Sequence, residues 1–187
     1  MASPSLYSDL NIMTSVAGFF ANKLTAAGWA VYWQALGIFS GTATQGEVTM
    51  VPEFPAETTY LVLGPRDRTE NEIIVPAFSV GFQVAPEEIQ IAGLGDTEYE
   101  SVALVTVDGF CANKQQHLLF STYMRKWFQK DTVIPIYNWE DNPVTPDLVD
   151  DRNVYIRTRQ VEIITSPNLP NPVRYYLNMT AEIVFYD

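Results

Sequence analysis

The sequence predicts an α+β domain: a mixed or antiparallel β-sheet flanked by an N-terminal helix and a second helix, closed by a long C-terminal β-hairpin. Three observations predict it. Leu6, Leu10, Met13, Ala17, Phe20 and Leu24 recur at helical spacing and form one apolar stripe. Phe120, Tyr123, Met124 and Trp127 form a second stripe far along the chain. Most other apolar residues alternate at period two, most cleanly from Val173 to Tyr186. The repeated strand–helix units of a doubly wound sheet are missing, which leaves α+β as the architecture. A length of 187 residues without repeats or a composition break fits one domain, 1–187.

Each element has a local reason. Ser3 can cap the first helix, with Pro4 at its first position, where a missing N–H costs nothing. Ile12 and Phe19 widen its stripe, and Gly28 is placed to end it. Trp29 to Leu36 is aromatic and β-branched and is predicted as a strand. Residues 37–58 contain three glycines and two prolines and are predicted mainly as connection, with a short strand at Val48–Val51. Tyr60 to Leu63 is a short strand closed by Gly64 and Pro65, and Arg66 to Asn71 is a charged turn. Ile73 to Val84 alternates, and Pro76 argues for an edge position or a bulge. Glu88 to Ala92 adds a short strand before a turn at Gly93–Gly95.

Glu100 to Val107 is apolar on both faces, as a central strand should be, with Gly109 at its end. Ala112 to Gln129 is the second helix, and Thr132 to Tyr137 a short strand interrupted by Pro135. Residues 138–153 form an acidic, proline-broken loop with Glu140, Asp141, Asp147, Asp150 and Asp151. Val154 to Thr165 shifts its apolar phase midway, which predicts a bulge. The loop Ser166–Pro172 then joins it to the last strand. That strand could span about 45 Å at roughly 3.3 Å per residue, so it either projects as a hairpin or coils around the domain.

Composition narrows the chemistry. There is one histidine, His117, and one cysteine, Cys111. The usual equipment for catalysis near neutral pH is therefore nearly absent. The two are six positions apart, on different faces of a helix, and two ligands are too few for an ordinary zinc site. A Cys–His nucleophile pair fails on the same geometry. The acidic loop lacks the alternate spacing and central glycine of a calcium loop. Gly93-Leu94-Gly95 is a fragment of a nucleotide loop with no GK[ST] sequence anywhere. No catalytic, cofactor-binding or metal-binding residue is therefore expected, and a carboxylate-only hydrolase is the remaining enzymatic alternative.

The charge is −11 and charged residues make up 18%. An acidic chain should not grip DNA, although an acidic wall lets a polyanion slide past. Plain solubility is the alternative reading. Low charge with 13% aromatics points to apolar surface buried against partners. One cysteine gives no internal disulfide. No apolar run approaches a membrane span, and the N-terminus carries no basic leader or signal core. Lys114, Arg125, Lys126 and Lys130 lie on or just after the second helix, as a basic stripe or a solvated face.

The order of elements is informative beyond composition. A capped amphipathic helix leads into an aromatic strand. Val51-Pro52-Glu53-Phe54-Pro55 precedes the short strand Tyr60–Leu63. A strand ending in Gly109 runs into a helix, and Val133–Trp139 follows as VIPIYNW before the long closing strands. This order resembles the tail-terminator (tail completion) family of long-tailed bacteriophages. The resemblance implies a homohexameric ring at the head-proximal end of the tail tube. One face would stack on the tail tube protein and end its polymerisation. The other would meet a neck or head-completion protein, with sheath as a further neighbour. DNA would pass through the lumen without sequence-specific binding. Such a protein would reside in the virion after assembly in host cytoplasm, with no membrane partner. The alternative is another tail or neck component: a tube, neck adaptor or baseplate protein. The long hairpin and the extended acidic loop depart from a minimal member. From pattern alone, Trp29, Trp33, Trp139, Tyr176, Pro167, Leu169 and Pro170 are the candidate interface residues, and the hairpin is expected to reach a neighbouring subunit or partner.

Overall fold

The computed structural model of the chain describes residues 9–51, 60–64, 67–69, 72–90, 99–149, 155–166 and 175–186. The predicted cap Ser3, Pro4 and Leu6 fall outside these residues. So do Pro52–Pro55, the Gly93–Gly95 turn, Asp150, Asp151 and the hairpin loop with Pro167, Leu169 and Pro170.

The elements run α1 (Asp9–Ala26), β1 (Trp29–Trp33), β2 (Ile38–Ser40), β3 (Gly46–Val51), β4 (Tyr60–Leu63), β5 (Glu72–Val75), β6 (Ala77–Gln90), β7 (Tyr99–Cys111), α2 (Lys114–Trp127), β8 (Val133–Pro135), β9 (Tyr137–Asn138), β10 (Asp147–Leu148), β11 (Tyr155–Ser166) and β12 (Tyr175–Tyr186). Eight strands form one sheet in the order β2-β1-β3-β6-β7-β12-β11-β8. β1–β3 and β3–β6 are parallel and the other pairs antiparallel, so the sheet is mixed and the fold is α+β. The pairs β4–β5 and β9–β10 stand apart from it.

The long strands β6, β7, β12 and β11 are the centre of the molecule. β12 pairs with β7 at every position from Tyr175 to Tyr186, and with β11 along most of its length on the other side. The C-terminal hairpin is thus part of the central sheet through its described length, and the expected central position of β7 is met. The register shifts between Thr158 and Gln160, where the change of apolar phase predicted a bulge. Fully buried Thr158 exploits that irregularity: its hydroxyl donates to the Gln129 carbonyl at 2.6 Å. Its N–H donates to Thr132 O at 3.1 Å, and its carbonyl accepts from Asp131 N at 2.8 Å. The turn after α2 is fixed by these bonds.

Three boundaries differ from expectation. β7 continues through Gly109 to Cys111, because the glycine lies under the Phe78 ring. A Cβ there would meet Phe78 Cε1 at 2.7 Å. Pro76 divides the predicted strand Ile73–Val84 in two, with a cis Val75–Pro76 bond. β5 pairs with β4 before it, and β6 enters the middle of the main sheet after it. The proline thus sits where the chain changes sheets and needs no N–H. A third strand, β2, occupies what was predicted as connection. Gly37 and Gly41 bracket it at φ +66 and +80, conformations that suit glycine.

Both helices cover one face of the sheet. α1 packs on β1, β6, β8 and β9, and α2 on β7, β12 and β11. The core between them holds Phe20, Phe78, Phe120, Met124, Val105, Val107, Leu177, Met179 and Ile183, all fully buried. Phe78 meets Phe20 and Phe120 edge-on at 4.7 and 5.0 Å between ring centroids. Gly28 ends α1 as predicted, at φ +92, and its carbonyl accepts bonds from Thr44 and Gln45.

α1 is not the amphipathic surface helix that its stripe predicts. Eight consecutive residues, Asn11 to Gly18, are buried, while Leu10 of the predicted stripe is exposed. Two polar side chains explain how a helix can be covered all round. Ser15 Oγ accepts from Tyr137 N at 2.8 Å, and Asn11 Oδ1 accepts from Trp139 N at 2.8 Å. Residues four apart on a helix are about 6 Å apart along its axis, and alternate residues of a strand about 6.6 Å. The two spacings match closely enough for one helix edge to stand in for a neighbouring strand.

Candidate assembly surfaces

The four long strands present two unlike faces. Val105, Val107, Leu177, Met179, Ala181 and Ile183 point to the helices. The opposite face of β6, β7 and β12 carries Ser79, Thr106, Asp108, Tyr176, Asn178, Thr180 and Glu182, together with Leu104 and Val184, and at one end Ala77 and Phe110, which pack with Ile73 and Val75 of β5. Its described side chains across these three strands include two carboxylates and no cation. A hydrogen-bonded row crosses them. The Tyr176 hydroxyl donates to Asp108, Asn178 Nδ2 donates to Asp108 Oδ1 at 2.7 Å, and Thr180 Oγ1 donates to Asn178 Oδ1 at 3.3 Å. Burial first, then the bond to Asp108 and its negative charge, push the Tyr176 phenol up to about 12. Asn178 thus faces along a polar sheet surface, inside a strand.

The sheet also has unpartnered edges on opposite sides. β3 covers β6 only at Ala77–Ser79, and β8 covers β11 only at Tyr155–Arg157. Among the described residues the remainder of β6 and of β11 has no strand on the side away from the centre of the sheet. β2 ends the sheet at one flank with Ile38 and Phe39 exposed, and β8 ends it at the other with Val133 exposed.

A third feature lies between α1 and the β2 flank. Trp139 and Trp33 pack with ring centroids 5.6 Å apart, and Gly18 lets the Trp139 indole lie against the helix. Grooves open on both sides of Trp139. The larger, about 790 Å³, reaches Leu10, Tyr32, Gln34 and Arg68; the smaller, about 270 Å³, reaches Ile38 and Val144. Arg68 closes the larger one, with its guanidinium 3.9 Å over the Tyr32 ring and paired with Glu47 at 2.9 Å. The buried Trp139 indole N–H and Gln34 amide oxygen have no hydrogen-bond partner among the described residues.

The candidate interface residues separate against this geometry. Trp29 and Trp33 are 5% and 7% exposed and belong to the core, which corrects their assignment to an interface. β1 is flanked by β2 and β3 and covered by α1, and Trp29 packs on Phe120 at 5.0 Å. Trp139 is half-buried and lines both grooves. Tyr176 is half-buried on the polar face. Pro167, Leu169 and Pro170 lie outside the described residues. Cys111 is fully buried at the end of β7, and burial pushes its thiol up to about 12, so it is a packed side chain with little thiolate character. His117 is half-buried beside Tyr175, at 5.5 Å between rings.

Exposed apolar residues that sequence pattern missed are Leu118 on α2, Val133, and Val144 and Leu148 around β10, at 43% exposure or more. Leu118, Val133 and Leu148 stand beside Leu119, Ile134 and Val149, which are turned inward, so pattern absorbs them into apolar runs; Val144 alone stands between polar or proline neighbours. Among the described residues no group of three His, Cys, Asp or Glu side chains is placed to share a metal ion, and no helix is long and apolar enough to cross a membrane. No protein-family model matches the chain, and no curated protein is significantly similar to it.

Proposed function

We propose that this protein is a structural subunit of a phage tail, forming a ring at the head-proximal end of the tail tube. The observation that carries the reading is the unpartnered outer edges on opposite sides of one sheet. A heterologous ring needs two different joining surfaces on each subunit. An isolated globular protein normally blunts or covers such edges. The helix-free face supports the same reading. Between apolar Phe110 and Val184 it carries a polar, hydrogen-bonded row with the carboxylates of Asp108 and Glu182, which suits a wall past which DNA moves without being held. In this reading one side of the ring ends tube polymerisation, and the other meets a neck or head-completion protein. No enzymatic step is part of the proposal.

Immunogold electron microscopy of particles tests the location. Label at the head–tail junction is expected. Label along the tail or at its tip would move the protein to a tube or baseplate role, and label on no particle would refute a virion role. Shortening Ser166–Pro172 with its flanking strand ends should weaken assembly while leaving the subunit folded. Unchanged assembly would exclude the hairpin loop as a contact.

A further inference from the structure

We infer that the outward face of α2 docks against the β9–β10 loop of a second copy of this chain, head to tail. The inference rests on the ring reading and names the surfaces that close it.

Charge is segregated on this subunit. The span from Ala112 to Lys130 contains Lys114, Arg125, Lys126 and Lys130 and no carboxylate, in a chain of net charge −11. The exposed face of α2 presents Leu118, 57% exposed, about two turns before exposed Arg125 and Lys126. Neither cation pairs with a carboxylate among the described residues. The loop between β9 and β10 has the reverse chemistry. Val144 and Leu148 are 60% and 53% exposed and lie among exposed Asp141 and Asp147. Each surface is an apolar centre with charge at its rim, and the two rims have opposite sign.

Their placement fits a head-to-tail contact. α2 lies over β7, β12 and β11. The loop reaches β2, where Val144 shares a groove with Trp33, Ile38 and Ser40, whereas α2 meets the other end of β1 through Phe120 on Trp29. Two separate, unlike surfaces are what a repeating heterologous contact requires, because each copy then offers one surface to each neighbour. The acidic loop also favours a partner over solvent in a second respect. Its base is fixed to α1 by the Ser15 and Asn11 bonds, so it is presented in a set position before docking.

The test uses the full chain and two charge reversals, Arg125→Glu/Lys126→Glu and Asp141→Lys/Asp147→Lys, with mass measured by sedimentation. Wild type should assemble with rising concentration. Each variant alone faces like charge across the contact and should need more than about tenfold higher concentration to assemble. Mixed in equal amounts, the variants should assemble again, alternating around a ring of even number. Circular dichroism and melting of each variant establish that it is folded. Folded variants that assemble like wild type, or a mixture that does not recover, would overturn the pairing while leaving the ring reading intact. A wild type that stays monomeric at every concentration would overturn both. If Arg125→Glu/Lys126→Glu instead lowers retention of duplex DNA and leaves assembly unchanged, the helix face is a nucleic-acid surface and the pairing is wrong.

Discussion

Replacing Ser15 by alanine isolates the contact that lets α1 serve as a strand substitute. Ser15 is fully buried, and its hydroxyl oxygen is 2.8 Å from the Tyr137 N–H. Removing it strands a backbone donor, at a cost of about 1–3 kcal/mol. Tyr137 is half-buried, so water can reach part of the gap and the lower half of that range applies. Alanine also favours the helix over serine by about 0.5 kcal/mol, which offsets part of the loss. The net expectation is about 1 kcal/mol, or about 2–4 °C in Tm for a chain of this size. Asn11→Ala should act in the same way on Trp139. The double variant should lose less than the sum, because both bonds hold one short strand and the second matters less once that strand is loose. Urea unfolding gives the energies, and amide exchange at Tyr137 and Trp139 gives the location. Unchanged exchange at Tyr137 in Ser15→Ala would refute the role assigned to the hydroxyl. The same variant should reduce assembly a few-fold, since it loosens the base of the acidic loop.

Gly109→Ala should cost about 1–3 kcal/mol in urea unfolding, because the new methyl would sit 2.7 Å from a Phe78 ring atom in a filled core. Asn113→Ala removes the cap that accepts Gln116 N at 2.9 Å and should cost about 1 kcal/mol, with fraying confined to the first turn of α2. Alkaline stability follows from two raised pKa values. Cys111 and Tyr176 titrate near 9.0 and 10.0 when unfolded and near 12 when folded, so the native state holds its protons longer. Stability should therefore be undiminished below pH 9 and fall as pH rises from 9 through 12; Tyr176→Phe should flatten the upper part of that fall. Assembly should strengthen between about 0.01 and 0.15 M salt, because the screening length drops from about 30 to 8 Å and quenches subunit repulsion before it quenches adjacent ion pairs. A steady decline over that range, read by sedimentation, would contradict this balance.

The sheet was legible where its physics is periodic. Alternation located β12, the phase change located the bulge at Thr158, and the two-sided apolar run placed β7 in the centre. Glycine and proline misled in both directions. Gly109 marks a packing site for Phe78 within a strand, and Pro76 marks a change of sheet. The start of α2 was legible but missed: Asn113 Oδ1 accepts from Gln116 N, the Gln116 side chain reaches back to accept from Ala112 N, and both residue types stand at capping-box spacing. The continuous burial of Asn11–Gly18 in α1 had a fainter signal in Asn11 and Ser15, four apart inside an apolar run. Polar residues in such a run require partners, although nothing local says that β9 supplies them.

Aromatic content pointed to Trp29 and Trp33 as surface anchors, and both are core. The reason is general to a subunit surface. A core residue is constrained by its own chain, so its pattern repeats with the element that carries it. A docking residue answers to a partner's shape, so exposed Leu118 and Leu148 merge in the sequence with their inward neighbours Leu119 and Val149, and Val144 looks like an accident of composition. What the sequence does carry is charge sorting, since four of the eleven basic residues fall between Ala112 and Lys130, a span without a carboxylate, in a chain with twice as many acids as bases. Net charge of −11 makes any two copies repel at long range, so association must be specified locally, by placing the few cations where a neighbour's carboxylates will meet them.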